Sequence, residues 1–488
     1  MTPGRPEFVS RVRELNELRD LGDSPGAHMA LLYGRRRVGK TYLLDYAWRD
    51  ARRFYFLAAD TTADRNRLDL LREFEAGLGA KIHSDDYPSW RTVFRLLASY
   101  AENELLIVIL DEFQYLMGGD EGIVSQLNAV WDREVKDRDL TLVLCGSEVS
   151  TMASLQAGDS PLYGRINWRQ RLRPLDYLDA AQMFPGRDER ELASLYAIFG
   201  GLPQYLAAVG VDEPIGEAVA RTFLSPRGEV HLQLENLIEQ EKGIRDTAIY
   251  RAVLDAVARG NTETNDIAQA AGLQQSPTKA RRALETLEEL ELIRRERNFA
   301  ASRRAPWRNR IADHATRFWY RFVHPNRSRL ETGDALKVWQ ADILPLLDMY
   351  MGKAFEDLCA QAFRRQHASW GLPDCVQWAR WEGLDKNRHP IELDLVAELS
   401  DGKLLTGEFK WSSSPIDVDV HFELIGNLKA LGMSGQGWAR DALDPEQSHG
   451  FLYISAAGFT DAFRNRAEEN QRIFLFDLSD LYTLDRGQ

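Results

Sequence analysis

Segment 34–41 of the sequence, GRRRVGKT, has the residue types and spacing of a phosphate-binding loop, GxxxxGK[ST]. It follows a short apolar strand and opens an apolar-periodic helix at 42–48. Glycines at both ends of the loop allow left-handed backbone angles, so successive N–H groups can point at a phosphate beside the positive helix N-terminus. We expect Lys40 to contact the phosphates of ATP and the Thr41 hydroxyl to ligate Mg²⁺. The predicted nucleotide-binding loop comprises Gly34, Arg35, Arg36, Arg37, Val38, Gly39, Lys40 and Thr41.

Two acids stand at the end of the longest apolar run, 105–110. A buried parallel strand delivers such carboxylates to the carboxyl edge of its sheet, where ligands bind. We expect Asp111 to hold Mg²⁺ through a water molecule and Glu112 to polarise the attacking water. A further strand at 54–58 separates the two motifs in sequence, as in P-loop proteins that carry a catalytic glutamate. This segment is therefore predicted to hydrolyse ATP.

Two further side chains are candidates for the same site. The apolar run 140–145 leads into Gly146 and Ser147, which would place the Ser147 hydroxyl beside the γ-phosphate. Arg165 follows in a loop and could offer its guanidinium to the transition state, within the chain or in a neighbouring subunit. A loop arginine is also commonly a plain surface charge, and both interpretations stay open here.

A second set of reactive residues lies near the C-terminus. The strands 391–397 and 404–411 flank a turn at Asp401 and Gly402, which predicts a hairpin. Alternation along the strands puts Asp394 on one face and sends Glu408 and Lys410 together to one face. Two carboxylates and a lysine suit phosphodiester hydrolysis, with Asp394 and Glu408 as Mg²⁺ ligands and Lys410 positioning the attacking water. Glu356, on a helix from about 346 to 367, would add a metal or water contact. The same pattern also occurs as solvated pairs on hairpins.

Between these sets lies a basic segment. Apolar periodicity predicts helices at 249–259, 264–271 and 276–290, the last opened by Ser276 and Pro277, and then a hairpin. This order is typical of a winged helix-turn-helix. Residues 294–310 hold seven arginines against one acid, as phosphate contacts with duplex DNA require. The predicted DNA-binding residues are Lys279, Arg281, Arg282, Arg294, Arg295 and Arg297. Alternatively, the winged helix is used only to pack against the ATPase.

The elements that must position these residues define an α/β protein. From residue 29 to about 209, short β-rich runs alternate with helical patterns, which predicts a mostly parallel sheet covered on both faces. The predicted organisation is a P-loop ATPase core at 1–209, a helical lid at 210–243, a winged helix at 244–310, a connector at 311–345 and an α/β domain at 346–488.

Composition narrows the class of protein. With 488 residues, the chain is long enough for two to four domains. No apolar run approaches the roughly 20 residues that span a bilayer, and the first residues do not form a secretory signal. Three dispersed cysteines argue against a zinc site and fit a reducing cytoplasm. The net charge of −13 opposes non-specific adsorption to nucleic acid but leaves room for a local basic surface.

The N-terminal motifs resemble a known family. GRRRVGKT, LDEFQYL, CGS, PLYGR and GGLPQYL, in this order within about residues 6–210, are similar to archaeal-type ATPases of the STAND and AAA+ assemblage. The resemblance implies that Arg165 is an arginine finger and that Pro203 lies near the base and phosphates. The opening FVSRVRELNEL is similar to the family's adenine-side segment, with Ser10 where glycine is usual.

The C-terminal segment resembles the PD-(D/E)xK nuclease fold over about residues 346–480, through the order helix, β-hairpin, strand, helix, strand and the motif Asp394…Glu408-x-Lys410. More narrowly, it is similar to the nuclease-like domain appended to many archaeal-type ATPases, some of which have lost the activity. The resemblance thus implies an AAA+-like P-loop ATPase with a restriction-endonuclease-like C-terminal domain.

Two functions follow as hypotheses. The first is a cytoplasmic ATPase, acting alone or as a homo-oligomer. It is coupled to a domain that cleaves double-stranded DNA with Mg²⁺ or Mn²⁺, in genome defence or mobile-element control. The second is a nucleotide-controlled regulatory switch whose C-terminal domain binds but does not cleave. Metal-dependent nicking of DNA that depends on Asp394, Glu408 and Lys410 separates the two.

Overall fold

The computed structural model describes residues 8–79, 81–102, 104–136, 138–239, 244, 246–331 and 333–483. Within these residues the chain forms two compact units. The N-terminal unit contains residues 8–175 and 202–204, and the C-terminal unit contains 176–201 and the chain from 205 onward. The ATPase boundary expected at 209 therefore does not coincide with the division of the structure. The reason lies in buried tyrosines: Tyr177 donates to the Leu481 carbonyl and Tyr196 to Gln361, which ties 176–201 to the C-terminal unit.

The N-terminal unit is built on five parallel strands. They are β1 (His28–Tyr33), β2 (Arg53–Leu57), β3 (Leu106–Asp111), β4 (Leu140–Gly146) and β5 (Trp168–Arg171). Their order in the sheet is β2-β3-β4-β1-β5, so β4 lies between β1 and β3. Every residue of β3 and β4 is buried, because these near-continuous Val, Ile and Leu runs are covered on both faces. The prediction of an α/β fold with a parallel sheet is confirmed.

Helices connect and cover these strands. They are α1 (Val12–Asp23), α2 (Lys40–Ala47), α3 (Ala63–Leu78), α4 (Trp90–Ser99), α5 (Phe113–Gly119), α6 (Ile123–Val130) and α7 (Val149–Ser154). Helix α2 begins at the lysine of the phosphate-binding loop, and α5 begins directly after the two acids that end β3. Both motifs therefore lie at the carboxyl edge of the sheet.

The C-terminal unit begins with short helices. They are α8 (Tyr177–Ala181), α9 (Glu189–Phe199), α10 (Pro203–Ala207, whose first two residues belong to the N-terminal unit), α11 (Ile215–Val219) and α12 (Glu229–Glu235). Three helices follow: α13 (Thr247–Ala258), α14 (Thr264–Ala270) and α15 (Pro277–Glu289). They lie within two residues of the predicted bounds. The antiparallel strands β6 (Ile293–Glu296) and β7 (Arg308–Ile311) form the hairpin expected after them.

The connector expected at 311–345 is largely helical. It contains α16 (His314–Phe318), α17 (Arg327–Leu330) and α18 (Ala335–Val338). The 23-residue helix α19 (Leu344–Gln366) follows and carries Glu356 and Asp357. Buried aromatic residues such as Phe318 and Trp319 pack this segment into the unit.

A second five-stranded sheet completes the C-terminal unit. Its strands are β8 (Cys375–Leu384), β9 (Pro390–Leu399), β10 (Leu404–Lys410), β11 (Ser448–Ser455) and β12 (Ile473–Asp477), in the order β12-β11-β10-β9-β8. Strands β8 to β10 are antiparallel, and β10 to β12 are parallel. The remaining helices are α20 (Asp419–Met433), α21 (Gly437–Asp441), α22 (Asp461–Glu469) and α23 (Leu478–Tyr482). The predicted turn is present, with Gly402 at a φ of 81°.

None of the helices that the structure describes is both long and apolar enough to cross a membrane.

Candidate functional sites

The phosphate-binding loop has the backbone geometry that its glycines predict. Gly34 and Gly39 both have positive φ, and so does Arg37, at 68°. A side chain at Gly34 would collide with the Leu172 carbonyl. Lys40 is buried, and its Nζ donates to the carbonyl oxygens of Gly34 and Arg35 at 2.8 and 3.1 Å. The ammonium is thus held inside the loop, close to where a phosphate would enter.

Thr41 and Asp111 meet at the carboxyl edge of the sheet. The Thr41 hydroxyl donates to Asp111 Oδ2 at 2.9 Å, and the Tyr55 hydroxyl donates to the same oxygen at 2.7 Å. Burial and the neighbouring Asp111 carboxylate raise the pKa of Tyr55, so the phenol keeps its proton. A hydroxyl and a carboxylate side by side are oxygen donors of the kind that Mg²⁺ accepts. Tyr55 was not a candidate from the sequence, because nothing in a β-strand pattern pairs it with an acid on another strand.

Glu112 is held in a fixed position beside Ser147. Its backbone has a φ of 54°, and its N–H donates to Asp111 Oδ1 at 2.8 Å. Its carboxylate oxygen Oε2 accepts from Ser147 Oγ at 2.7 Å and from the Gln114 side-chain amide. The structure therefore brings Ser147 to the acidic pair, as the sequence predicts. Gln114 is a further residue of this network, two positions after Glu112 in the motif.

Pro203 also lies beside the loop. Its ring would be 3.8 Å from a Cβ placed on Gly39, and residues 202–204 pack with the N-terminal unit. Arg36 points elsewhere and donates to the Tyr115 hydroxyl at 2.9 Å. The predicted loop residues and Pro203 thus share one region of the unit.

Arg165 lies near the amino ends of the parallel strands, whereas the nucleotide site lies at their carboxyl ends. This arginine lies three residues before β5. Asn167, two residues further on, accepts a hydrogen bond from the backbone N–H of Met29 near the start of β1. β1 has six residues, which corresponds to roughly 20 Å between its ends. Arg165 pairs with both oxygens of Asp132 at 2.9 and 2.7 Å. In this arrangement it does not reach the nucleotide site of its own chain.

The C-terminal candidates converge on one cavity of about 610 Å³. Lys410 Nζ lies 2.5 Å from Glu408 Oε2 and 3.6 Å from Asp394 Oδ2. Asp394 also accepts from the backbone N–H of Phe409 at 2.9 Å. Glu356, on α19, lines the same cavity. The alternation that was expected to bring these side chains together is therefore present.

Glu392 is a further acid of this cavity. Carboxylate oxygens of Glu356, Glu392 and Asp394 all lie within 4.8 Å of one another. Glu392 precedes Asp394 by two residues on β9, so the pleat that sends Asp394 into the cavity sends Glu392 there too. The sequence thus contained the signal for this residue.

Burial sets the protonation of the acids in the cavity. Burial and the Asp394 carboxylate raise the pKa of Glu408 to about 8, although Lys410 opposes this. Burial likewise raises the pKa of Glu356 to about 7, against the opposing effect of Arg380. For Lys410, the two carboxylates outweigh burial and raise the pKa, so the ammonium stays charged. These acids repel one another strongly because the cavity is poorly solvated. A divalent cation bound among them would relieve this repulsion.

Only part of the arginine-rich segment after α15 is open to solvent: Arg303 and Arg304 are exposed, whereas Arg294, Arg295 and Arg297 have partners within the protein. Arg294 pairs with Glu296 and with the buried Asp357. Arg295 pairs with Glu288 at 3.2 Å and, like Arg297, stacks on Trp307. Contact of these three arginines with DNA stays a prediction, and it would require each of them to leave a partner within the protein. Their partners come from segments up to 63 residues away, which the local charge count could not reveal.

The hairpin is instead bound to the C-terminal sheet. The backbone N–H of Phe299 donates to the Arg380 carbonyl at 3.0 Å, and the Asn298 side chain bonds both backbone groups of Glu382. Phe299 packs edge-on against Trp438. The hairpin thus packs within the protein on the C-terminal sheet, whereas the alternative named the ATPase as its packing partner. Lys279, Arg281 and Arg282 on α15 remain exposed.

Asp357 is a residue that the sequence did not single out. Its carboxylate is 5% exposed and receives guanidiniums from three elements: Arg294, Arg317 at 2.6 Å and Arg380 at 3.1 Å. Burial alone would raise its pKa, but the three cations outweigh it and hold the pKa well below the usual range. Arg380 also pairs with Glu356 at 2.7 Å, which links Asp357 to the neighbouring acid.

Comparison with known proteins agrees with this geometry. Residues 8–209 match a family described as "ATPase domain predominantly from Archaea". Residues 319–419 match "Archaea bacterial proteins of unknown function". The nucleotide site therefore lies in the part of the chain that is similar to an ATPase domain of archaeal type.

Relatives extend over the whole chain. An uncharacterized protein of Methanocaldococcus jannaschii is 26% identical over 484 residues, which is 97% of this chain and 99% of that protein. A second uncharacterized protein of the same organism is 29% identical over 91 residues, 19% of this chain and 88% of its own. Among solved structures, the Walker-type ATPase of Pyrococcus abyssi is 23% identical with a TM-score of 0.51, and covers 65% of this chain and 97% of its own. The last similarity shows a shared P-loop ATPase fold.

Proposed function

We propose that this protein hydrolyses ATP in its N-terminal unit and cleaves DNA in its C-terminal unit. The observation that carries the second activity is the convergence of Asp394, Glu408 and Lys410 with two further acids on one cavity. The topology supports it as well, because α19, three antiparallel strands, α20 and the parallel strand β11 follow the order of a restriction-endonuclease-like fold.

ATP hydrolysis needs a phosphate cradle, a cation at the γ-phosphate and a base. In our proposal the loop N–H groups and Lys40 bind the phosphates, and Thr41 and Asp111 hold Mg²⁺, which neutralises charge on the phosphate oxygens. Glu112 accepts a proton from the water that attacks phosphorus. Ser147 keeps the Glu112 carboxylate in place through their 2.7 Å hydrogen bond. The location of β4 between β1 and β3 supports this assignment.

The residues of the C-terminal cavity suit a divalent cation. Glu356, Glu392, Asp394 and Glu408 offer carboxylate oxygens, and the raised pKa values of Glu356 and Glu408 reflect charges without sufficient compensation. When bound, Mg²⁺ or Mn²⁺ would polarise the phosphoryl group. Lys410 is oriented by Glu408 and would stabilise negative charge on the phosphate. Glu356, with a pKa of about 7, would accept the proton of the attacking water.

Duplex DNA is the proposed partner. Helices α13 to α15 with the hairpin β6–β7 have the order of a winged helix, and α15 occupies the place of a recognition helix. Its exposed Lys279, Arg281 and Arg282 would contact phosphates. A role in genome defence or mobile-element control remains a prediction.

The test uses the full chain with supercoiled and linear DNA, in Mg²⁺, Mn²⁺ or EDTA, with and without ATP. We expect metal-dependent cutting that Asp394→Asn and Glu408→Gln lower by roughly 10²-fold or more, the scale of lost acid–base groups. Lys410→Gln should slow cleavage while DNA affinity changes little. The ATPase rate should be unchanged in all three variants and absent in Lys40→Ala, with exposed Lys81→Ala as the matched control.

The second candidate is a nucleotide-controlled switch that binds DNA without cutting it. The observation that favours it is the attachment of the hairpin to β8. This attachment joins the winged helix to the C-terminal sheet, and such a combined surface suits DNA binding without cleavage. If the parent protein cuts no DNA under any of these conditions but retains ATP hydrolysis, the switch is the better description.

A further inference from the structure

A second cavity, of about 360 Å³, lies between the hairpin β6–β7, helix α19 and strands β8 and β9. We call it the arginine pocket. Its charged lining residues are the cations Arg294, Arg308, Arg310, Arg317, Arg380 and Lys353 and the acids Asp357, Glu382 and Glu392. Six cations and three carboxylates line the pocket, and two further acids, Glu296 and Glu356, pair with Arg294, Arg310 and Arg380, so the cations exceed these acids by one.

The carboxylates of the pocket are shared rather than paired one to one. Asp357 forms ion pairs with three guanidiniums. Glu382 forms ion pairs with Arg308, at 3.1 Å, and with Arg310. Arg317 uses its Nη2 for Asp357 and the Ile311 carbonyl. Its Nη1 is buried and meets no acceptor in the part of the chain that the structure describes. A buried charged donor without an acceptor is costly, and a ligand oxygen would satisfy it.

We propose that the arginine pocket binds the terminal phosphate of a nucleic-acid strand. A terminal phosphate carries nearly two negative charges and three acceptor oxygens, whereas a backbone phosphate carries one charge. Its three free oxygens allow the terminal group to accept hydrogen bonds from both Arg317 Nη1 and Lys353, which line the pocket. Guanidinium groups bind phosphate oxygens in pairs, and the volume lies within the range of small-ligand sites.

The pocket adjoins the candidate nuclease cavity, since Lys353 and Glu392 line both. A strand held by its terminal phosphate would pass the carboxylates of that cavity close to its end. The identity of the ligand as nucleic acid rests on the proposed function, while the anion site itself rests on the charges of the pocket. The enzyme would then act preferentially near phosphorylated ends.

The test measures binding of four short oligonucleotides to the full chain in EDTA, where metal-dependent cleavage cannot occur. They share one sequence and carry a 5′-phosphate, a 3′-phosphate, both or neither. We expect one phosphorylated end to bind roughly ten- to a hundredfold more tightly than its hydroxyl counterpart, the range for hydrogen bonds to a charged group. Inorganic phosphate should compete with that difference, and the two singly phosphorylated arms identify the end.

Variants locate the effect. Lys353→Gln, at an exposed position, and Arg317→Gln should narrow the ratio between phosphorylated and hydroxyl ends, whereas Arg466→Gln on α22 should leave it unchanged. Arg317→Gln could disturb folding, but Lys353→Gln and the comparison within the parent protein do not depend on it. Equal affinity for all four oligonucleotides overturns the inference, even if inorganic phosphate binds. If the protein binds phosphorylated ends preferentially but never cuts DNA, the proposal for the arginine pocket holds and only the nuclease proposal is excluded.

Discussion

Thr41 and Asp111 are joined by a 2.9 Å hydrogen bond from the hydroxyl to the carboxylate, which links the start of α2 to the end of β3. These residues are 70 positions apart in the chain, yet they lie side by side at the carboxyl edge of one sheet. The pair defines where the γ-phosphate and its Mg²⁺ are expected, and it places Glu112 one residue beyond. The first prediction concerns that glutamate.

Glu112→Gln should retain ATP binding and lose turnover by roughly 10²-fold or more, because the amide cannot accept the proton of the attacking water. Ser147→Ala should lower turnover less, since it removes only one hydrogen bond that orients the carboxylate. Steady-state ATPase rates and nucleotide binding measure both effects. Exposed Glu121→Gln is the matched control. An unchanged rate in Glu112→Gln would remove this residue from the mechanism.

Arg165 is predicted to act on the nucleotide of a neighbouring copy, because it lies at the far edge of its own sheet. Arg165→Ala should lower turnover with little change in nucleotide affinity. Mixing this variant with Lys40→Ala protein should restore part of the activity, since each supplies the group that the other lacks. Asp132→Asn, which frees the guanidinium from its ion pair, should not reduce turnover. The absence of rescue at every mixing ratio would exclude a role between subunits.

Duplex affinity should depend on salt through α15 rather than through the hairpin. Replacing Lys279, Arg281 and Arg282 by glutamine should flatten the log–log salt slope by about 0.9 for each lost phosphate contact. Arg295→Gln and Arg297→Gln serve as matched controls and should leave the slope unchanged, because these side chains are engaged by Glu288 and Trp307. Titrations of a blunt duplex with hydroxyl ends decide the matter. If the hairpin variants flatten the salt slope and the α15 variants do not, the hairpin is the DNA-binding surface.

In the metal-free protein, the contribution of Glu408 to stability should fall as the pH rises from about 5 to 8. Burial and Asp394 raise the pKa of Glu408 to about 8, whereas its ordinary value is 4.5. In that window the folded state keeps a proton that the unfolded chain releases, so the free energy of unfolding falls with pH. Thermal unfolding in EDTA should show that the Tm of the parent protein, relative to that of Glu408→Gln, falls by several degrees between pH 5 and pH 8. Glu408→Gln should flatten this dependence, and exposed Glu446→Gln should not.

Local patterns predicted much of this structure because their causes are local. The strands of the parallel sheet, α13 to α15 and the turn at Gly402 follow from apolar periodicity and glycine freedom within a few residues. The charge partners could not be predicted, since Arg294 meets Asp357 only through the tertiary fold. Glu392 is an intermediate case, because strand alternation from Asp394 points to it directly.

The same limit applies to the division of the chain. Segment 176–201 continues the ATPase motifs in sequence, but its tyrosines find their hydrogen-bond partners on α19 and near the C-terminus. Burial of a phenol requires such a partner, and the sequence does not say which segment supplies it. The N-terminal compact unit therefore contains 8–175 and 202–204, whereas the family match, like the motifs, continues to residue 209.

The segment after β6 also has a consequence for β8. β8 is the outermost strand of the C-terminal sheet, and an uncovered outer strand offers unpaired backbone groups on which another chain can add as a strand. Asn298 and Phe299 occupy such groups at Arg380 and Glu382. The hairpin thereby protects the sheet from self-association. A C-terminal fragment that starts after β7 would expose this strand and become prone to aggregation, so the two segments are best produced as one piece.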